Sequence, residues 1–186
     1  RSSMANNTTG GQNTAIGRKA LQVNTTGNFN TAVGAFALDA NTTASENTAM
    51  GYNTLGSNTT GSYNTGLGRG ALRNNETGNN NTAVGYLSLD ANTTGTNHVA
   101  VGAYALNANT TGSSSTAVGI YALTSNTTGA ENVAIGRQSL FSNTTANDNI
   151  SIGVNAMYAN TTGKRNVAVG SGSLGQNTTA DNNTAV

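Results

Sequence analysis

Small and aliphatic residues alternate with polar ones along this chain in a fixed cycle of seventeen. In the stretch Asn13 to Phe29, N-T-A-I-G-R-K-A-L-Q-V-N-T-T-G-N-F, let Asn13 be slot 1. Adding seventeen repeatedly lands on Asn30, Asn47, Asn64, Asn81, His98, Ser115, Asn132, Asn149, Asn166 and Asn183, with no insertion or deletion. Slot 2 is always Thr, Val or Ile, and slot 4 always a larger aliphatic or Met. Slot 3 between them is Ala except for Gly66 and Ser151. β-Branched residues two apart, with a minimal residue between, predict a short strand that turns slots 2 and 4 to one face. Slot 5 is Gly in all ten instances, as a corner or a close backbone approach requires.

Slots 8 and 9 repeat the logic. Slot 8 is small, and slot 9 is Leu, with Met4 and Met157 as the only substitutes. Slots 7 to 10 therefore predict a second strand, and the Asn-Thr-Thr-Gly or Asn-Thr-Thr-Ala of slots 12 to 15 predicts the return turn. The expected fold is all-β: a parallel β-solenoid, or β-roll, of about eleven 17-residue coils stacked at about 4.8 Å. It would run roughly 50 Å, with aliphatic slots 4 and 9 inside and Asn columns outside. A helix is excluded, because slots 4 and 9 have no i, i+3, i+7 continuation. Residues 1–186 form a single repeat array. Neither end carries an atypical capping repeat, so a segment of a longer fibre or end-to-end stacking is expected. Two large aliphatics per coil make a thin core, and the tiny slot 3 face suggests close packing on other chains, in threefold side-by-side association.

Composition narrows the function classes. Charged residues are 8%, the net charge is +1, and there is no Cys, Pro or Trp. That balance gives no electrostatic footprint for nucleic acid, and no apolar run is long enough to span a membrane. Without cysteine there is neither a disulfide framework nor a thiolate metal site. The seven acids are dispersed over variable slots, and no metal or cofactor site is indicated. Gly170 to Gly175 spells G-x-G-x-x-G, but no helix follows to cradle a pyrophosphate. His98 has no fixed catalytic partner and is expected on the surface.

The pentads Asn132-Val-Ala-Ile-Gly136, Asn166-Val-Ala-Val-Gly170 and His98-Val-Ala-Val-Gly102 resemble head repeats of trimeric autotransporter adhesins. They are also similar to repeats of phage and prophage tail-fibre proteins. The resemblance covers the whole chain, and it implies a left-handed parallel β-roll trimer that holds a binding tip away from a surface. The seventeen-residue period with its Asn-Thr-Thr turn departs from those families' pattern, as does the lack of a neck, coiled-coil stalk or anchor.

Two sets of side chains stand as candidate sites. Slot 12 is Asn and slot 14 Thr in all eleven coils. Asn7, Asn24, Asn41, Asn58, Asn75, Asn92, Asn109, Asn126, Asn143, Asn160 and Asn177 are thus N-x-Thr sequons for N-linked glycans along one edge. A plain ladder of stacked amides is the alternative. The sequon survives in the irregular Asn75-Glu76-Thr77. Phe36, Tyr52, Tyr86, Tyr104 and Tyr121 gather at slots 6 and 7 of neighbouring coils, where a strip could contact sugar rings. Packing between coils or chains is the alternative. The leading expectation is an extracellular or cell-surface structural or adhesive fibre without catalysis, partnered by copies of itself, with carbohydrate or a cell surface as the further candidate partner. The other two are a tail-fibre shaft binding host glycans and an ice-binding solenoid using ranked threonines. Against the last, the threonines of slots 13 and 14 are adjacent and cannot share one flat face.

Overall fold

A computed structural model describes residues 2–186. The chain is a parallel β-solenoid with one short strand per coil. Eleven strands, from β1 (Thr14–Ile16) and β2 (Thr31–Val33) to β11 (Thr184–Ala185), form one sheet in sequence order. Equivalent slots pair across every rung, Thr14 with Thr31, Ala15 with Ala32 and Ile16 with Val33. The register cannot slip by one residue without turning each strand's alanine outward.

Leu21 and Leu38 lie in one buried column that continues through Leu55, Leu72, Leu89, Leu106, Leu123 and Leu140 to Met157. This leucine column is as the sequence predicts. The strand faces are not. The slot 3 alanines from Ala32 to Ala168 are fully buried, and Ala15 and Ala185 in the end strands partly so, whereas slots 2 and 4 face outward and stay partly or well exposed. The coil is so narrow that its interior admits one leucine, the small residues of slots 3 and 8 and the polar side chains of slots 1 and 12 per rung; slot 4 has no room inside.

Slots 7 to 10 form a tight turn rather than a second strand. The reason is backbone handedness. Slot 7 and slot 9 residues adopt positive φ, for example Phe36 at 61° and Leu38 at 49°, which breaks any extended run. Slot 17 does the same, as at Phe29 with φ 58°. Such left-handed residues are costly for bulky side chains. Stacking offsets the cost, because the neighbouring coils satisfy their amides: Phe36 N–H donates to Arg18 O at 2.9 Å, and Leu38 N–H to Thr54 O at 3.1 Å. Each coil is thus completed by the next, the behaviour of a quasi-one-dimensional array.

The amide columns are inside, not outside. Slots 1 and 12 are buried from Asn24 to Asn166, including His98 and Ser115. Polar groups in such a position are tolerated only when every donor and acceptor is met. Asn41 Nδ2 donates to Asn24 Oδ1 at 2.9 Å and to Ala44 O at 3.1 Å. Asn30 Nδ2 donates to that same Ala44 carbonyl at 2.8 Å, while Asn47 N–H donates to Asn30 Oδ1 at 3.0 Å. Two interior ladders, joined at the slot 15 carbonyl, run the length of the coil.

Candidate functional site

The five sequence-predicted rings fall on one longitudinal strip, and the strip is longer than expected. Phe36 meets Tyr52 edge-on at 5.8 Å between centroids, and Tyr86 meets Tyr104 likewise at 5.3 Å. Tyr104 and Tyr121 stack at 5.0 Å with planes 6° apart. Phe141 and Tyr158 extend the file, at 6.4 Å from Tyr121 and 5.0 Å from each other. Slots 6 and 7 alone do not reveal these two rings. They stand at slot 10, which the tight turn brings alongside. The break between Tyr52 and Tyr86 is filled by Arg69, whose guanidinium carbon is 5.8 and 5.7 Å from the two ring centroids. Arg18 caps Phe36 at 4.5 Å. One aromatic or guanidinium group per coil therefore runs from Arg18 to Tyr158. Two of the five ring contacts are stacked and three are edge-on; each joins neighbouring coils, while Tyr52, Tyr86, Tyr121 and Tyr158 stay exposed to solvent.

The sequon nitrogens lie elsewhere than expected. Each interior slot 12 amide uses its Nδ2 hydrogens within the coil stack, as at Asn75, which donates to Asn58 Oδ1 at 2.8 Å and Gly78 O at 3.0 Å. An N-linked glycan replaces one of those hydrogens and needs a path to solvent. Asn24, Asn41, Asn58, Asn75, Asn92, Asn109, Asn126, Asn143 and Asn160 are fully buried, and a glycan there does not fit the folded coil. The end sequons Asn7 and Asn177 are half-buried and make the same local bond, to Gly10 O and Ala180 O. The threonines divide by role. Slot 13 hydroxyls donate to the carbonyl of slot 13 one coil on, as Thr25 does to Thr42 O at 3.0 Å. Slot 14 threonines face solvent throughout.

His98 is buried rather than on the surface, and it substitutes for a ladder asparagine atom by atom. Gly112 O, 2.6 Å from Nε2, can only accept, and Ser115 N–H, 3.2 Å from Nδ1, can only donate. The ring must then be neutral with its proton on Nε2. Burial lowers its pKa below 6.5, partly opposed by the bond to Gly112. Below that ordinary value the unfolded chain takes a proton that the folded chain refuses, so stability falls as pH drops through and below 6.5. Melting temperatures from pH 7 to pH 5 should decline more steeply for the native chain than for His98→Asn, which restores a pH-insensitive amide. Parallel curves would refute the assignment.

The outward sheet face is the remaining feature. Across eleven rungs slots 2 and 4 carry no charge, only Thr, Val, Ile, Leu and Met. Ile16 is 62% exposed and Met50 47%. Among the described residues no group of His, Cys, Asp or Glu gathers that could hold a metal ion, and no helix is long and apolar enough to cross a membrane.

Fold and surface together define the class: a repeat protein, a parallel β-solenoid with an amide-laddered interior. No protein-family model, curated protein or solved structure matches the chain.

Proposed function

We propose that this chain is a rigid structural segment of an extracellular or cell-surface fibre, without catalysis, that packs side by side with a second copy through its outward sheet face. The carrying observation is that face: uncharged for eleven rungs, with an unbroken column of partly or well exposed aliphatics and Met at slot 4 beside the Thr, Val and Ile of slot 2. Exposed apolar area of that extent and continuity marks an interaction surface. A second copy is the occupant because it repeats at the same coil spacing, so its slot 2 and 4 side chains meet these rung for rung. At about 4.8 Å per rung and roughly 10 Å across, the face offers roughly 500 Å² per copy. A pair would bury about 1,000 Å², the lower bound for a specific interface. Lateral packing was expected on the tiny slot 3 face; since slot 3 is interior, the larger slot 2 and 4 face takes that part.

This same face disfavours ice. Slot 2 offers a hydroxyl at Thr14, Thr31, Thr48, Thr65, Thr82, Thr116 and Thr184, but loses it at Val99, Val133, Ile150 and Val167. An apolar partner tolerates that exchange; an ordered hydroxyl rank does not.

Light scattering of the purified chain should give a multiple of 18.6 kDa at micromolar concentration. The double variant Val101→Lys/Val118→Lys places two charges mid-face and should run as a monomer with an unchanged circular dichroism spectrum. A native chain that is itself monomeric overturns the proposal.

A further inference from the structure

Charge is absent from the outward sheet face but not from its two margins, and the margins differ in sign. Slot 17 is the first exposed position before each strand, and slot 6 the first beyond the corner glycine that follows it. Glu46 of slot 17 lines one hollow with Thr48 of slot 2, so that margin borders the face directly. The slot 17 margin carries Glu46, Glu131 and Asp148 against a single Arg165. The slot 6 margin carries Arg18, Arg69 and Arg137 among the described residues, and no acid. All seven side chains are exposed, and none forms an ion pair within the chain. The one salt bridge among the described residues joins Arg73 to Asp90 at slot 10. Arg137 bonds only the neutral Gln138, at 3.1 Å, which leaves its charge unpaired.

Two copies whose sheet faces meet with their axes aligned can do so in two ways. If the two-fold axis runs along the solenoid, the chains point the same way, and each slot 17 margin faces the partner's slot 6 margin. If the axis runs along the strands, the chains point opposite ways and each margin faces its own like. Like charges across an interface are costly, and opposite ones fix orientation. In the parallel pair Glu131 and the partner's Arg137 share the rung of the eighth strand, Val133–Ile135, and symmetry makes that pair twice. Glu46 lies one rung, about 4.8 Å, from the partner's Arg69, and Asp148 one rung from the partner's Arg137. No two like charges share a rung. In the antiparallel pair at full overlap, Glu46 meets the partner's Asp148 and Arg69 meets the partner's Arg137. Sliding the chains changes these partners but still leaves like margins together.

We infer that the second copy packs parallel and in register, about a two-fold axis along the solenoid, held to that polarity by the opposite charges of the slot 17 and slot 6 margins. The inference rests on the lateral packing proposed above and adds a direction to it: corresponding ends of the two chains lie together.

Spin labels on single introduced cysteines read the polarity, since the native chain has no cysteine. Thr26→Cys, Thr94→Cys and Thr162→Cys label exposed slot 14 positions near the second, sixth and tenth strands, away from both margins. Dipolar spectroscopy should give one interchain distance for all three. An antiparallel pair would offset each end label from its partner by eight rungs, about 38 Å along the axis, and the middle label by none. That pattern overturns the inference. Charge reversal is the second reading. Arg137→Glu sets like charges on the eighth rung and should weaken dimerisation at least roughly fivefold at about 50 mM salt. Most of that loss should vanish near 1 M salt, where screening acts within about 3 Å. Glu131→Arg/Arg137→Glu exchanges the pair and should recover the native affinity. In an antiparallel pair the reversed charge at position 137 would face the partner's Arg69, so tighter dimerisation by Arg137→Glu overturns the inference, as does a double variant that fails to recover. Circular dichroism of each variant separates lost association from lost folding. A monomeric native chain overturns the lateral packing itself; a stable dimer with unequal label distances overturns only its polarity.

Discussion

Asn75→Asp is expected to destabilise the coil by about 3–5 kcal/mol at neutral pH, the cost of leaving a buried charge without a partner. The substitution changes one atom and almost no volume, so the effect isolates hydrogen-bond polarity. Asn75 Nδ2 donates to Asn58 Oδ1 and Gly78 O, and its Oδ1 accepts from Asn92 Nδ2. A carboxylate can only accept. It keeps the bond from Asn92 and sets an oxygen against two acceptors that have no water to turn to. The sign with pH follows. Burial and facing acceptors raise the folded carboxyl pKa above its unfolded value, so the deficit is smallest at acid pH and grows as pH rises through the carboxylate range. Recovery at pH 4 should be partial, because a protonated acid offers one hydrogen where the amide offers two. Denaturation of variant and native chain, compared at pH 4 and pH 7, gives the difference free of His98's opposite slope. A deficit below about 1 kcal/mol at pH 7 would mean that water enters the ladder.

Much of this architecture is written in the repeat. The seventeen-residue register, the strand at slots 2 to 4, the corner glycine and the leucine column follow from period and side-chain size alone. Which strand face turns inward does not. Alanine at slot 3 reads equally well as a tight exterior or a tight interior, and coil width decides. The width in turn depends on left-handed turns at slots 7 and 9, which residues such as Phe36 and Leu38 do not signal. The asparagine columns mislead for a related reason. Polar residues are placed outside by default, yet here each amide is the hydrogen-bond partner of its own equivalent one coil away. Invariance does not separate them either: slot 12 never varies and is buried, but Thr at slot 14 never varies and faces solvent, while the buried slot 1 ladder admits His98 and Ser115. The aromatic strip was legible in five rings and incomplete in two, because Phe141 and Tyr158 join it only through the turn.

Gly85→Val is expected to divide the solenoid into two arrays. Gly85 has φ 133°, and a Cβ built there would stand 2.7 Å from both the carbonyl carbon and oxygen of Gly102 and 3.1 Å from Ala103 N. All three are backbone atoms of the next coil, fixed by the ladder that includes Gly102 N–H to Val84 O at 2.8 Å. No rotamer change relieves the contact; the two coils must part. Gly170 separates this steric effect from conformational strain. It occupies the same slot with φ 124°, but the nearest atom to its Cβ position is Ser173 Cβ at 4.0 Å. Gly170→Val should therefore cost only the strained dihedral, about 1–3 kcal/mol and confined to the last coil. Gly85→Val adds the loss of one interface between coils, and in an array of nearest-neighbour contacts that uncouples whatever lies on either side. Hydrogen exchange should show the Gly102 amide and its rung neighbours unprotected, with both flanks still protected, and limited proteolysis should cut between the fifth and sixth strands, Thr82–Val84 and Val99–Val101. A single cooperative melt and full protection at Gly102 would show that the stack can dilate by the width of a methyl group, and the close backbone approach would then not be what requires glycine at this slot.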